Sequence, residues 1–328
     1  MNTLYPLKFY PIFKDKIWGG NKIKTILNKD FSPLSNCGES WELSAVKGDI
    51  SIVSNGFLEG NNIQELIEIY MGDLLGDNVY QKFGIEFPLL IKFIDSNDKL
   101  SVQVHPDDEL ALKRHNAYGK TEMWYIIDAD KDAKLINGFN RKISKEEFIK
   151  YIDQKKIIEI LNFEKVNNGD VFYIPAGKVH ALGSGILLAE IQQTSDITYR
   201  IYDWDRLDSK GKSRQLHTEL AIDAIDYDNK NNSKIIYPRV LNNANQIVSC
   251  QYFTTNIVEF NKTIDKDYNI IDSFVIFICV DGNFKIINRE TLEETDVSKG
   301  EVVLLPAILK EITLIPDSYS KILEIYID

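Results

Sequence analysis

The chain has 328 residues, 44% hydrophobic and 27% charged, enough apolar material for one large or two medium domains with true cores. Its formal net charge of −11 argues against nucleic acid as a partner, because phosphate backbones are held by basic surfaces; a small phosphorylated ligand needs only a local pair of cations. The longest apolar run, Phe274 to Val280, is too short to cross a bilayer, and the first twenty residues lack the apolar core of a signal peptide. Cys37, Cys250 and Cys279 are odd in number, far apart and without a Cys-x-x-Cys pair, which favours a reducing cytoplasm over a disulfide framework or a thiolate zinc site.

In chain order, strand signals dominate. "DISIVSNGFLEG", "EFPLLIKFIDSND", "EMWYIIDAD", "GDVFYIPAG", "GILLAEIQQ" and "ITYRIYDWD" are short runs rich in Ile, Val, Tyr and Phe, bounded by Gly, Asn and Asp turns. Helical spacing predicts helices over about 61–76 behind Asn62, over about 144–161 behind the capping-box pair Ser144 and Glu147, and over about 213–227. Between two of the strands, "DDELALKRHNA" reads as a further short helix that places His115 on the surface, and His217 falls among surface helical residues. The polar run Asp228 to Lys234 reads as a linker, followed almost only by strands. The expected fold is mainly β, with a helical insert in residues 1–233 and a smaller all-β domain over 234–328.

One stretch, "LSVQVHPDD", sets Ser101, Gln103 and His105 on one face of a strand and Leu100, Val102 and Val104 on the other. Further on, "GDVFYIPAGKVH" carries Gly169, Pro175, Gly177 and His180, and "GEVVLLPAILKE" repeats its strand-then-proline frame with Gly300 and Pro306 but has Ile308 and Glu311 where the glycine and histidine stood. The first frame, G-x5-P-x-G-x2-H, resembles the second conserved motif of the cupin barrels, in which the histidine is a metal ligand. A proline and a glycine after a strand make a rigid turn, which suits a ligand whose position must persist without its metal. Gln103, His105 and His180, with Glu122 brought back by a hairpin after "YGK", compose a nitrogen/oxygen shell of single negative charge suited to catalytic zinc.

The blocks "IWGG", "GESWELS", "LSVQVHPDD", "GKTEMWYI", "PAGKVHAL" and "LLAEIQQTSDITYRIYDWDR", spread from Trp18 to Arg206, resemble the type I mannose-6-phosphate isomerases in their short bacterial form. The resemblance implies two cupin (jelly-roll) β-barrel domains, the C-terminal one without a metal site, and a single zinc held by Gln103, His105, Glu122 and His180. Gly119 departs from the longer family members, which carry a histidine there. The implied reaction interconverts mannose 6-phosphate and fructose 6-phosphate through an enediol, so a phosphate clamp, an oxygen polariser and a base are required. Ser101, Lys120 and Arg200 are the expected substrate-binding residues, with Asp196, Asp203 or Asp205 as candidate counter-ions for Arg200. Lys120, Arg200 and Glu190 are the expected catalytic residues, with Glu190 as the base: it shares a strand face with Leu188 and Gln192, and burial would raise its pKa. The rival readings are a non-catalytic sugar-phosphate-binding cupin and a metal-dependent oxygenase. The combined presence of Lys120, Glu190 and Arg200 favours the isomerase.

Overall fold

The computed structural model describes residues 4–207, 211–228 and 234–328. Its first strands are β1 (Ile12–Lys14), β2 (Glu39–Leu43), the small hairpin β3 (Ala45–Val46) and β4 (Asp49–Ile50), β5 (Leu89–Ser96), β6 (Val102–Val104), β7 (Glu122–Ala129) and β8 (Lys134–Phe139). There follow β9 (Leu161–Lys165), β10 (Val171–Ile174), β11 (His180–Leu182), β12 (Ile186–Gln193) and β13 (Tyr199–Tyr202). They form a six-stranded antiparallel sheet in the order β1-β2-β5-β12-β7-β10 and a five-stranded one in the order β13-β6-β11-β8-β9. Both orders are open paths, so no closed barrel forms among the described residues. The protein is mainly β, as expected.

The two sheets face each other. Ile94, Trp124, Ile126, Phe172 and Leu188 from the first pack against Leu135 and Leu182 from the second, with Trp18 and Leu100 in the same cluster. Leu100 therefore leaves the face it was expected to share with Val102 and Val104, because the regular strand begins only at Val102 and alternation has no force before it. The outer face of the five-stranded sheet (Val102, Val104, Ala181, Tyr199 and Ile201) is covered by Phe148 and Ala221 of the helical segments. The outer face of the six-stranded sheet (Leu43, Ile91, Phe93, Tyr125 and Ala189) packs on the C-terminal strands. Covering on both sides leaves β5 and β12 with every residue buried.

The C-terminal strands are β14 (Ala244–Ser249), β15 (Thr254–Phe260), β16 (Ile264–Asp267), β17 (Val275–Asn288), β18 (Glu294–Ser298), β19 (Val302–Leu305) and β20 (Glu311–Tyr326). They make one sheet around the long β17–β20 pair. Alternation along β17 sends Ile276, Ile278 and Val280 toward the N-terminal sheet and Val275, Phe277 and Cys279 into a separate core.

The helices are α1 (Lys22–Thr25), α2 (Ile63–Leu75), α3 (Asp77–Phe83), α4 (Asp108–His115), α5 (Lys145–Asp153) and α6 (Thr218–Ala224). Asn62 and Ser144 form full capping boxes with Glu65 and Glu147, as the Ser144 spacing predicts. The helix expected over 144–161 stops at Asp153, and Lys155 turns to φ 56° before a short 3-10 turn. The one expected over 213–227 shrinks to α6, because the backbone of His217 bonds to Arg200 of β13 instead of continuing a helix. The run "DISIVSNGFLEG" yields only β4 and a 3-10 turn at Gly56–Leu58; its backbone pairs as isolated bridges and bonds with the N-terminal segment. Of the expected linker, residues 229–233 lie outside the described residues. No helix among the described residues is long and apolar enough to cross a membrane.

Candidate active site and metal centre

The space between the two sheets is apolar at one end and polar at the other, and cross-strand register explains the polar end. In an antiparallel pair, directly opposed residues point to the same face. On the five-stranded sheet, Asn137, His180, Gln103 and Arg200 form one such row across β8, β11, β6 and β13. On the six-stranded sheet, Trp41, Lys92, Glu190 and Trp124 form another across β2, β5, β12 and β7, with Gln192 and Glu122 paired two residues along.

His105, Glu122 and His180 converge. Their ligand atoms lie within 4.8 Å of one another, and all three side chains are buried. His105 Nε2 is 3.6 Å from one Glu122 oxygen and His180 Nε2 is 3.4 Å from the other. The opposite ring nitrogens are held by backbone: the Nδ1 of His105 lies 2.9 Å from the Ile197 carbonyl and the Nδ1 of His180 lies 2.8 Å from the Lys178 carbonyl. A carbonyl only accepts, so each imidazole donates from Nδ1 and presents the lone pair of Nε2 to the centre. Both Nε2 atoms are buried without a hydrogen-bond partner among the described residues, and the Glu122 oxygen nearer His105 faces the Lys120 ammonium at 3.2 Å. Orphaned acceptors turned on one another are costly unless a cation sits between them, so the donor set fits a metal. Gln103 stands opposite His180 in the β6–β11 register.

The electrostatics agree. Burial, with the positive charge of Lys120, drives His105 well below the ordinary imidazole range, and burial pushes His180 down to about 3, so both rings are neutral. Burial, together with the charge of Glu190, raises Glu122 to about 7 against the pull of Lys120 and Lys92.

The turn that delivers His180 is locked to the other histidine. Gly177 stands at φ 84°, its N–H donates to the His105 carbonyl at 2.9 Å, and a Cβ there would lie 2.9 Å from that of Asp226. Gly177→Ala is expected to cost about 1–3 kcal/mol in a denaturant titration, from positive-φ strain and the clash. A loss below a few tenths of a kcal/mol would show that the turn relaxes freely. Gly119 is also closely confined: a Cβ would sit 2.5 Å from the Asp107 carbonyl carbon, so the backbone leaves no room for a side chain there.

The remaining expected residues fall as follows. Lys120 is buried, not a solvated turn residue, with Nζ 3.2 Å from Glu122; burial disfavours its charge, but Glu122 and Glu190 outweigh that and raise its pKa. Ser101 is buried at the approach to β6. Glu190 faces the interior as expected, but its pKa moves the other way: burial alone would raise it, and Lys92 and Lys120 override burial and lower it. Its carboxylate lies 3.3 Å from Lys92 and accepts the Trp124 indole N–H at 2.9 Å. None of the three candidate aspartates pairs with Arg200. Asp203 is taken by Arg206 and Arg214, Asp205 accepts from the Tyr202 hydroxyl, and Asp196 is exposed. His115, exposed as expected, bonds to the Tyr199 hydroxyl at 2.8 Å.

Lys92, Trp41 and Glu39 were not assigned from sequence and belong to the polar end. The Lys92 ammonium lies 4.9 Å from the Trp41 ring centre, and Glu39 accepts the Trp41 indole N–H at 2.7 Å. A lysine inside the wholly apolar run "LLIKFI" was the available signal. Trp18 is a core residue, and Glu42 turns to the other face to meet Lys29 at 2.8 Å. A separate cavity of about 1090 Å³, lined by Phe83, Tyr118, Tyr252 and the loop 193–197, includes none of the four proposed metal ligands.

Fold and site together define a mainly β enzyme built around a buried His/Glu/His centre that could hold a metal. The family profile "Phosphomannose isomerase type I, catalytic domain" matches residues 7–136. The chain is 37% identical over 321 residues to mannose-6-phosphate isomerase ManA of Bacillus subtilis (strain 168), covering 95% of this chain and 96% of that protein. It is 35% identical over 306 residues to mannose-6-phosphate isomerase of Streptococcus mutans, covering 93% of each. The crystal structure of the Bacillus subtilis mannose 6-phosphate isomerase superposes with a TM-score of 0.87 at 31% identity, over 97% of this chain and 99% of that one. A zinc-bound mannose 6-phosphate isomerase shares the fold with a TM-score of 0.79 at 16% identity, over 98% and 99% of the two chains. The chain belongs to the type I phosphomannose isomerase family and is an isomerase.

Proposed function

We propose that the protein is a zinc-dependent aldose–ketose isomerase that interconverts mannose 6-phosphate and fructose 6-phosphate through an enediol. The observation that carries this reading is the pair of buried imidazole nitrogens, without a hydrogen-bond partner among the described residues, aimed together with the buried Glu122 carboxylate at one point. Gln103, His105, Glu122 and His180 would hold one zinc per chain. The chemistry a zinc ion supplies when bound there is Lewis-acid stabilisation of negative charge on the sugar oxygens. Arg200, without a carboxylate within salt-bridge distance among the described residues, Lys120 and Ser101 bind the anionic substrate. Glu190, held ionised by Lys92, is available to take the C2 proton and return it at C1. Lys120 and Arg200 steady the charge that develops meanwhile.

The same reading includes two cupin units, residues 1–233 with the helical segments and residues 234–328 without a metal site. Its support is the echoed frame: β10, Pro175 and β11 in the first, β19, Pro306 and β20 in the second, with Glu311 where His180 stands. Action in the cytoplasm is part of the proposal and rests on the three free thiols.

The test is a coupled assay for fructose 6-phosphate made from mannose 6-phosphate, before and after chelation. Activity lost to the chelator and restored by zinc supports the reading. No product under any condition removes the isomerisation, and full activity in the chelated protein removes the metal.

Metal binding should also depend on pH in a defined direction. Without metal, Glu122 keeps a proton up to about 7 while both histidines are already neutral. A metal must displace that proton, so zinc affinity, measured by competition with a chromophoric chelator, should rise from pH 6 to pH 8 with release of about one proton at the acid end. Affinity unchanged across that window would place the proton elsewhere.

A further inference from the structure

Arg200 sits on β13, the end strand of its sheet, with Gln103 opposite on β6. Its own N–H and C=O point to the open edge, and one residue takes both. The Arg200 N–H donates to His217 Nδ1 at 3.1 Å, and the His217 N–H donates to the Arg200 carbonyl at 2.7 Å. The guanidinium is held from the same segment, with Nη1 donating to the Gln215 carbonyl at 2.8 Å. The segment is pinned in turn: Arg214 donates from Nε and Nη2 to the two oxygens of Asp203 at 2.7 and 2.5 Å, and Arg206 donates to the same carboxylate at 2.7 Å. Asp203 is only 5% exposed, and the chain turns out of β13 beside it through two consecutive left-handed residues, Trp204 at φ 59° and Asp205 at φ 54°.

Fixing an arginine and leaving its charge unspent are competing demands. A carboxylate partner would orient the guanidinium and neutralise it; a backbone carbonyl orients it and leaves nearly the full charge for an incoming anion. Here the nearby buried carboxylate is given to Arg214 and Arg206, and the carbonyl of Gln215 is given to Arg200. We propose that Arg214 to His217, pinned by Asp203, form a positioning strap for Arg200, and that Arg214 acts on the isomerase reaction through Arg200 without touching substrate. The proposal rests on the assignment of Arg200 to the substrate made above.

A four-member cycle tests it: the parent, Arg214→Ala, Arg200→Ala and the double variant, each assayed for kcat and KM with mannose 6-phosphate and checked for zinc content and melting temperature. Arg200→Ala is expected to lower kcat about 100-fold. Arg214→Ala is expected to lower it about 10-fold with zinc content unchanged, and the double variant should be no worse than Arg200→Ala within about 2-fold, because a positioner has nothing left to position. A further 10-fold loss in the double variant would show an independent structural role and overturn the strap. Parent-level kcat in Arg214→Ala would overturn it as well. Full activity in Arg200→Ala is a separate result, which removes Arg200 from the mechanism and the strap's purpose with it. Should Arg214→Ala fail to fold, Arg214→Gln, which keeps a donor toward Asp203 but loses the bidentate fork, runs the same cycle with the same outcomes.

Discussion

His180→Ala should yield a chain that no longer retains zinc and forms fructose 6-phosphate about 1000-fold more slowly, the rate equivalent of the several kcal/mol a bound Lewis acid contributes. The expectation follows from how the ring is held. His180 is fully buried, edge-on to Trp124 with ring centres 5.4 Å apart and 4.8 Å from the centre of His105. Its Nδ1 is committed to the Lys178 carbonyl, and its Nε2 has no hydrogen-bond partner among the described residues, with a Glu122 oxygen 3.4 Å away. Alanine also leaves that carbonyl without its donor, and a lower melting temperature is expected from this alone. His180→Asn separates the two effects: a side-chain amide can restore a donor near Lys178 while denying the centre its imidazole. Recovered stability with zinc still absent identifies the ring as a ligand; parent-level zinc and turnover in either variant would refute it.

The parts of this site that were legible in sequence are those whose signal is local. Alternation in "SVQVH" separates half-buried Gln103 from Val102 and Val104, which pack against the helical segments. The proline–glycine turn before His180 has its own chemistry and needed no knowledge of the fold. Signals that depend on what lies across the sheet were lost. β5 and β12 are buried on both faces, so polarity no longer alternates with exposure, and Lys92 looked like one charge in an apolar strand until register set it opposite Glu190. The direction of the Glu190 shift reversed for the same reason: burial of one carboxyl is visible in sequence, and two ammonium groups arriving from β5 and the turn before β7 are not. Helix ends failed where a tertiary bond competed. Residues 213–217 have helical composition, yet an unpaired strand edge at Arg200 claims the backbone of His217.

Glu190→Gln should lower kcat between about 100- and 10,000-fold, the range for loss of a general base, with zinc content unchanged. Two accounts of this carboxylate predict different behaviour. As a counter-ion for Lys92, 3.3 Å away, it matters through charge balance: glutamine leaves a buried ammonium unpaired, and the loss should appear first as stability. As the base, it matters through its lone pair, and a folded, zinc-loaded variant should still be inactive. Glu190→Gln combined with Lys92→Met removes both charges, so stability should recover while turnover stays low. The pH profile gives a second reading. Lys92 and Lys120 hold Glu190 below the ordinary carboxylate range, so its base form persists through neutrality and is lost only in acid, below the usual glutamate pKa. The corresponding acid limb of kcat should therefore vanish in the glutamine variant. If the double variant regains turnover with its stability, Glu190 is a charge partner and the proton is carried by another group.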